Sequence, residues 1–365
     1  MRFRIWVPMA LVVTAFVAAG CGSSNKNNSS TSSGSPSSST AKVAVLLPDT
    51  QSSVRWETQD RRYLDAAFKA AGVQATIVNA QGDPSTQRSQ ADQALTNGAK
   101  VILLVDLDPG SGAAIIQTAH NRGAKVIDYD RLTLGGGANY YVSFDNTAVG
   151  KLQGQGLVNC LGAGGVSHPT VAELNGSPTD NNATLFAQGY DSVLGPKYAS
   201  GAFKKGPNQS VPDWDNQKAL TIYEQMLQQT GNKIDGVLAA NDGLANSVIS
   251  AENARKLKPV PVTRQDATAE GIQHILAGEQ CMTVYKRVKE EADAASKLAI
   301  ALAKGQTPTT NSTVDNKTAK TPSVLLKPQA VTKANIKDTV IKDGFLLRKD
   351  ICVGKFAKDC TAAGI

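Results

Sequence analysis

From residue 42 onward, short β-rich apolar runs alternate with amphipathic runs of helical period, and this alternation limits the fold more than any other feature of the chain. The expected strands and helices are 43–47 then 57–71, 74–78 then 85–96, and 101–105 then 113–121, with a strand at 125–128. Gly72, Gly98 and Gly123 follow the three helices, where a left-handed C-terminal cap favours glycine. Strands alternating with helices give parallel sheets covered on both faces. After a strand at 140–144 the alternation restarts, with helices at 147–160, 183–193, 216–229, 243–252, 269–277 and 290–304 and strands at 170–174, 236–240, 260–264 and 282–285. The Thr/Asn-rich stretch 306–322 reads as a loop, and 324–326 as the last strand. About 325 residues exceed what one core usually holds, so two lobes are expected. The fold class is α/β, with two doubly wound parallel-sheet lobes. The chain is expected to cross between them near Phe144–Asn146, Tyr285–Lys286 and Lys327–Ala330, a three-stranded hinge.

The first forty residues carry a separate message. Arg2 and Arg4 precede an apolar run that ends in Ala18-Ala19-Gly20-Cys21. The run is too short and wrongly flanked for a spanning helix and reads as a signal peptide over 1–20. Small residues before a cysteine resemble a bacterial lipobox, so Cys21 is the expected lipidation site; an ordinary leader with an incidental cysteine is the alternative. Residues 21–40, rich in Ser and Asn, cannot bury apolar surface and read as a disordered linker with a root-mean-square span of about 25 Å. The formal charge of +7 falls by two when Arg2 and Arg4 are removed. With no DNA-binding headpiece ahead of the first strand, that argues against nucleic acid. The three histidines lack ligand spacing and no C-x-x-C occurs, so neither a metal nor a cofactor is expected.

In open α/β sheets the binding crevice lies beyond the carboxyl ends of the strands. Those ends carry Arg55-Trp56, Asp106 and Asp108, Asp130-Arg131, Asn175 with Asp180-Asn181-Asn182, Asp213-Trp214-Asp215, Asn241-Asp242, Gln265-Asp266 and Lys286. Such a set suits a neutral polyol. Each hydroxyl offers one donor and two acceptors, charged partners strengthen those bonds, and an aromatic face covers the C–H side of a sugar ring. Taken singly, each residue has a plainer reading. Asp180, Asp215 and Asp242 suit helix N-caps, the tryptophans suit a core, Arg55 suits a surface, and Lys286 suits an ion pair with Glu290.

The blocks KVIDYDR (125–131), YYVSFDNTAVGKLQ (140–153), NGSPTDNNATLF (175–186), IDGVLAANDG (234–243), RQDATAEGI (264–272), MTVYK (282–286) and NIKDTVIKDGF (335–345), together with Arg55-Trp56, give the chain its resemblance to a family. It resembles type I periplasmic sugar-binding proteins of ABC transporters, D-xylose-binding proteins most. The resemblance implies an N-terminal lobe of 41–145 plus 286–328 and a C-terminal lobe of 146–285 plus 329–365. It implies sugar contacts from Arg55, Trp56, Asp130, Arg131, Asp180, Asn182, Trp214, Asn241, Asp266 and Lys286. It also implies a monosaccharide ligand, a xylose-like pentose or related hexose, and as partners a membrane permease and an ATPase. With the leader, this places a monomer outside the cytoplasm, anchored to the cell membrane by lipid. The loop 48–54 departs from the xylose-binding pattern in length and composition.

A sugar-sensing receptor of the same fold is the nearest rival. A glycosidase would need two carboxylates facing each other across the scissile bond, whereas here arginine, lysine and asparagine interleave the carboxylates and hold them ionised; no enzyme is expected. Four cysteines remain for an oxidising compartment. Cys352 and Cys360 are close in sequence, so closing their loop is cheap in chain entropy. They sit on a Lys-rich C-terminal tail with little apolar content to hold it down. Cys160 follows the entry into the second lobe and Cys281 precedes the exit. The expected pairs are Cys160–Cys281 and Cys352–Cys360, with buried free thiols as the alternative at 160 and 281.

Overall fold

The computed structural model describes residues 42–365. The leader, Cys21 and the linker therefore lie outside the described residues. Thirteen strands are seen there: β1 (Lys42–Leu47), β2 (Gln74–Asn79), β3 (Ala99–Leu104), β4 (Lys125–Tyr129), β5 (Tyr140–Phe144), β6 (Thr170–Asn175), β7 (Lys204–Ser210), β8 (Gly236–Ala239), β9 (Val262–Gln265), β10 (Met282–Tyr285), β11 (Ser312–Asp315), β12 (Lys320–Leu326) and β13 (Gln329–Val331). The helices are α1 (Arg61–Ala70), α2 (Pro84–Thr96), α3 (Pro109–Asn121), α4 (Asn146–Gly164), α5 (Asn181–Ala199), α6 (Asn216–Gln229), α7 (Asp242–Ala254), α8 (Ala269–Ala277), α9 (Val288–Ala303), α10 (Arg348–Ile351) and α11 (Phe356–Ala362).

The strands form two sheets, ordered β11-β12-β5-β4-β3-β1-β2 and β13-β10-β9-β8-β6-β7. Both are parallel except at one edge, where β11 and β13 run antiparallel to their neighbours. The alternation of β1 accounts for the double winding. Val43, Val45 and Leu47 pack toward α1 and α9, while Ala44 and Leu46 face α2 and α3. In each sheet the chain reverses direction beside the first strand of the lobe, between β1 and β3 and between β6 and β8. Those are the points where successive loops part and leave a crevice. The chain passes from one sheet to the other after β5, after β10 and between β12 and β13.

Three stretches differ from the sequence expectation. The stretch 306–322 is not all loop: β11 and β12 form a hairpin through it, turning where the Asn316 Oδ1 accepts from the amides of Thr318 and Ala319. β7, sequence KKGPNQS, was not expected at all, since an exposed edge strand carrying Pro and Gly has no apolar run to reveal it. The C-terminal tail is held down. Ile351 and Cys360 are fully buried against Ile272, Ile275, Tyr285, Val340 and Phe345. Both disulfides join the expected cysteines, Cys160 to Cys281 with Cα atoms 6.3 Å apart and Cys352 to Cys360 at 5.8 Å.

Candidate functional site

The first lobe's contribution starts in a single turn of π-helix, Trp56–Asp60, whose closing bond runs from the Arg61 amide to the Trp56 carbonyl. Such turns recur at functional sites because they re-aim side chains. Here Trp56, Asp60, Leu64 and Phe68 share the buried stripe that runs on into α1, so a carboxylate sits where an apolar residue is the rule. Arg55, itself 5% exposed, meets that carboxylate with two bonds, Nε to Oδ2 at 2.9 Å and Nη2 to Oδ1 at 2.8 Å. The same guanidinium reaches Asp130 Oδ2 at 2.9 Å and Glu291 Oε2 at 2.5 Å. Burial works against its charge, but Asp60, Glu291 and Asp130 outweigh burial and hold its pKa well above the usual value. Glu291 is pushed up to about 8 by burial, against the pull of Arg55. Among the described residues its Oε1 finds no hydrogen-bond partner, as suits a neutral carboxyl.

Asp130 follows β4 with φ of 63°, a left-handed conformation that costs a non-glycine residue about 1–3 kcal/mol. The strain brings a carboxylate and a carbonyl to the cleft together. The carbonyl accepts from Ser143 Oγ at 2.8 Å and Tyr141 Oη at 3.1 Å. Burial would raise the Asp130 pKa; Lys286, Arg55 and Arg131 reverse that and bring it down to about 2. Lys286 Nζ lies 3.5 Å from Asp130 and 4.0 Å from Asp266; the alternative partner Glu290 instead lies 3.8 Å from Arg287.

The second lobe answers residue by residue. Asn182 Nδ2 donates to the Asp130 carbonyl and to its Oδ1, both at 3.1 Å. Asp180 caps α5 through the Asn182 amide and also pairs with Arg131, Nε to Oδ2 at 3.1 Å. Burial opposes the Arg131 charge, yet Asp180, Asp49, Asp106 and Asp130 around it keep it protonated. Asn241 caps α7 and sends its Nδ2 to the Ser52 carbonyl at 3.0 Å. Asp266 lies 3.3 Å from Ser53 Oγ and is pushed up to about 7 by burial, with Lys286 opposing. Burial likewise raises Asp180 against Arg131, so at these two positions burial outweighs the cations that were expected to hold the carboxylates ionised. Trp214, at φ 57°, donates its indole N–H to Asp180 Oδ2 at 3.1 Å. Trp56 likewise donates to Ser52 Oγ at 3.1 Å.

All ten residues expected to touch a sugar line one cavity between the lobes, whose free volume is about 30 Å³, room for on the order of two waters, so a ring-sized guest enters only as the facing groups part. Asp108 and Asp215 stand outside it as helix caps. Asp106 lies behind the cavity, its carbonyl bonded to Arg131 and its carboxyl raised to about 7 by burial. Sequence reasoning missed Ser52, Ser53 and Phe186 on the cavity wall, placed Gln265 at a strand end without counting it among the sugar contacts, and missed Asp60 and Glu291 beneath the wall. The last two had a legible signal. Each is an acidic residue on the apolar stripe of a helix, Glu291 among Val288, Ala292 and Ala295. Among the described residues, five of the ten non-glycine positions with positive φ (Asp130, Asp213, Trp214, Asp266 and Ala267) belong to this wall or the turns that carry it. Such an arrangement can hold and desolvate a polar guest.

Residues 43–307 match the family model described as a periplasmic binding protein domain. The chain is 37% identical to the D-xylose-binding periplasmic protein of Escherichia coli K12, over 83% of this chain and 90% of that protein. It is 34% identical to the multiple sugar-binding periplasmic receptor ChvE of Rhizobium radiobacter, over 83% and 90%. Among solved structures, an ABC transporter solute-binding protein of Clostridium phytofermentans with bound β-D-glucose matches at 29% identity and a TM-score of 0.79, covering 85% of this chain and 99% of that one. These relatives are named for binding, and the shared architecture is that of two parallel-sheet lobes about a cleft. The chain belongs to the periplasmic binding protein family.

Proposed function

We propose that this protein captures one monosaccharide, a xylose-like pentose or a related hexose, in the inter-lobe cavity and delivers it to the permease and ATPase of an ABC importer. The observation that carries the reading is the meeting of hydrogen-bonding groups from both lobes in one buried space: Asp130, Arg131 and Lys286 against Asp180, Asn182, Asn241 and Asp266. Carboxylates accept from sugar hydroxyls, the arginine and lysine donate, and the amides do both. The Trp56 and Trp214 rings offer faces for the C–H side of the ring, and each indole N–H already has a partner. The groups now joined across the cleft are the ones a sugar would hold apart and bridge.

Two lobes, 42–145 with 286–328 and 146–285 with 329–365, would close about the three crossings, as hinged domains do around a ligand. Scattering with and without sugar should register compaction; an unchanged radius of gyration at saturation would refute closure. The importer role is tested by uptake of labelled sugar in cells lacking the gene. Restoring the wild-type gene should recover uptake. Restoring Cys21→Ala, which removes the anchoring thiol, should recover less in intact cells, and equal recovery would count against tethering.

A further inference from the structure

Asp242 and Arg264 form an ion pair one layer behind the cavity wall, and neither side chain lines the cavity. Arg264 Nε lies 3.2 Å from Asp242 Oδ1, with the two side chains 0% and 1% exposed. The arginine is fixed from two further directions, donating through Nη1 to the Asp242 carbonyl at 3.0 Å and to Asn246 Oδ1 at 2.6 Å. A buried ion pair is weak evidence for stability, because apolar residues often serve as well. What Asp242 holds is more informative. Its Oδ2 accepts from the Thr268 amide at 2.6 Å and the Thr268 hydroxyl at 2.7 Å. Its Oδ1 accepts from Thr283 Oγ1 at 3.0 Å, and that hydroxyl accepts from the Ala267 amide at 3.2 Å.

Two of the bonds to Asp242 come from Thr268 in the turn after β9, and the Thr283 hydroxyl on β10 relays a third to the Ala267 amide of the same turn. Asp266 there has φ of 112° and Ala267 φ of 55°, two consecutive non-glycine residues in the left-handed half of conformational space. Such a pair persists only where the surroundings over-determine it. The Asp266 amide is held by the Val284 carbonyl at 3.0 Å, and the next two amides are held through Thr283 and Asp242. The turn aims the Asp266 carboxylate at Ser53 and Lys286. Helix α8 approaches Asp242 this closely because residue 271 is glycine; a Cβ there would overlap Asp242 Oδ2.

We infer that Asp242 is a positioning residue for the sugar site: backed by Arg264, it clamps the strained Asp266–Ala267 turn so that the Asp266 carboxylate faces the cavity. The inference rests on the proposed role of Asp266 as a sugar contact. It separates Asp242 from Asn241, its neighbour on the wall. Asparagine keeps the size of Asp242 but withdraws a charged acceptor from two donors of the turn, so the turn relaxes and Asp266 turns away from its partners.

A double-mutant cycle read by calorimetric titration with D-xylose and D-glucose tests it, on Asp242→Asn and Asp266→Asn singly and together. Asp242→Asn should weaken binding about tenfold in the wild-type background and hardly at all once Asp266 is already changed, because coupled sites are non-additive. Thr283→Val, which removes one bridge without adding volume, should give a smaller loss that also vanishes in the Asp266→Asn background. It serves as the probe should Asp242→Asn not fold. Wild-type affinity in Asp242→Asn or Thr283→Val, or an equal loss in both backgrounds, overturns the inference, the latter marking a general structural role. A wild-type chain that binds neither sugar, or an Asp266→Asn variant that binds as wild type does, overturns instead the site reading beneath it.

Discussion

Arg131 of the first lobe and Asp180 of the second meet across the cleft, Nε to Oδ2 at 3.1 Å, with both side chains less than a tenth exposed. Asp180 also accepts from Trp214, and Arg131 also donates to Ser52 Oγ and the Asp106 carbonyl. One pair thus ties a helix cap, an aromatic wall and two strand ends together. Arg131→Ala removes the partner of a buried carboxylate, at about 1–3 kcal/mol or more, and each 1.4 kcal/mol is tenfold in affinity. Sugar binding by Arg131→Ala should therefore be weaker by more than about tenfold in a calorimetric titration. Wild-type affinity in that variant would remove Arg131 from the site.

Much of this was legible in the sequence because the polar groups sit where β-strands end. The run KVIDYDR fixes Asp130 and Arg131 as soon as residues 125–129 are read as a strand. The tryptophans were harder to place. Both are buried deeply enough to pass for core, and only the positive φ at Asp213 and Trp214, which no local pattern announces, turns the second ring to the wall. Ser52 and Ser53 were invisible for another reason. Their role depends on Asn241 and Asp266 arriving from about 200 residues away, a pairing that exists only in the closed tertiary arrangement. β11 escaped notice because its burial alternates between half-buried and exposed, so neither face is apolar enough to register.

Glu291 gives the fold a pH dependence of defined sign. Its carboxyl is pushed by burial from an ordinary value of 4.5 up to about 8. The folded state therefore binds this proton more tightly than the unfolded chain. Its contribution to stability is fully present below about 4.5 and is lost as pH rises through about 8. Glu291→Gln keeps an acceptor for Arg55 and cannot titrate. Melting temperature should fall with rising pH across that window less steeply in the variant than in the wild type. Asp130, brought down to about 2 by Lys286, Arg55 and Arg131 despite its burial, acts in the opposite sense and only at acid pH. Parallel melting curves for the two proteins would contradict a neutral Glu291.

Gly176 lies against the Trp214 ring so closely that a Cβ at that position would overlap the indole. Gly176→Ala should displace the ring from the wall and lower sugar affinity about tenfold or more, the stacking and shape terms being lost together. The helices around it should keep their far-ultraviolet circular dichroism. A variant that binds as tightly as the wild type would mean that the ring is not a sugar platform.

The two disulfides should separate stability from binding. In the chain-entropy account, the bridge spanning 121 residues stabilises by about 5 kcal/mol and the one spanning 8 residues by about 2.5 kcal/mol. Cys160→Ser with Cys281→Ser should lower the melting temperature more than Cys352→Ser with Cys360→Ser, and neither pair should shift sugar affinity more than a few-fold, since none of these four cysteines lines the cavity. Loss of binding by a folded double variant would tie a bridge to the site directly.

Calorimetric titration of the purified wild-type protein against a panel of monosaccharides, D-xylose and D-glucose first, decides whether the inter-lobe cavity is a sugar site. A sugar site there should give saturable binding of at least one of these sugars, one molecule per chain, abolished or sharply weakened by Asp266→Ala and by Arg131→Ala. No heat of binding with any sugar of the panel, or binding that survives both substitutions unchanged, would contradict it.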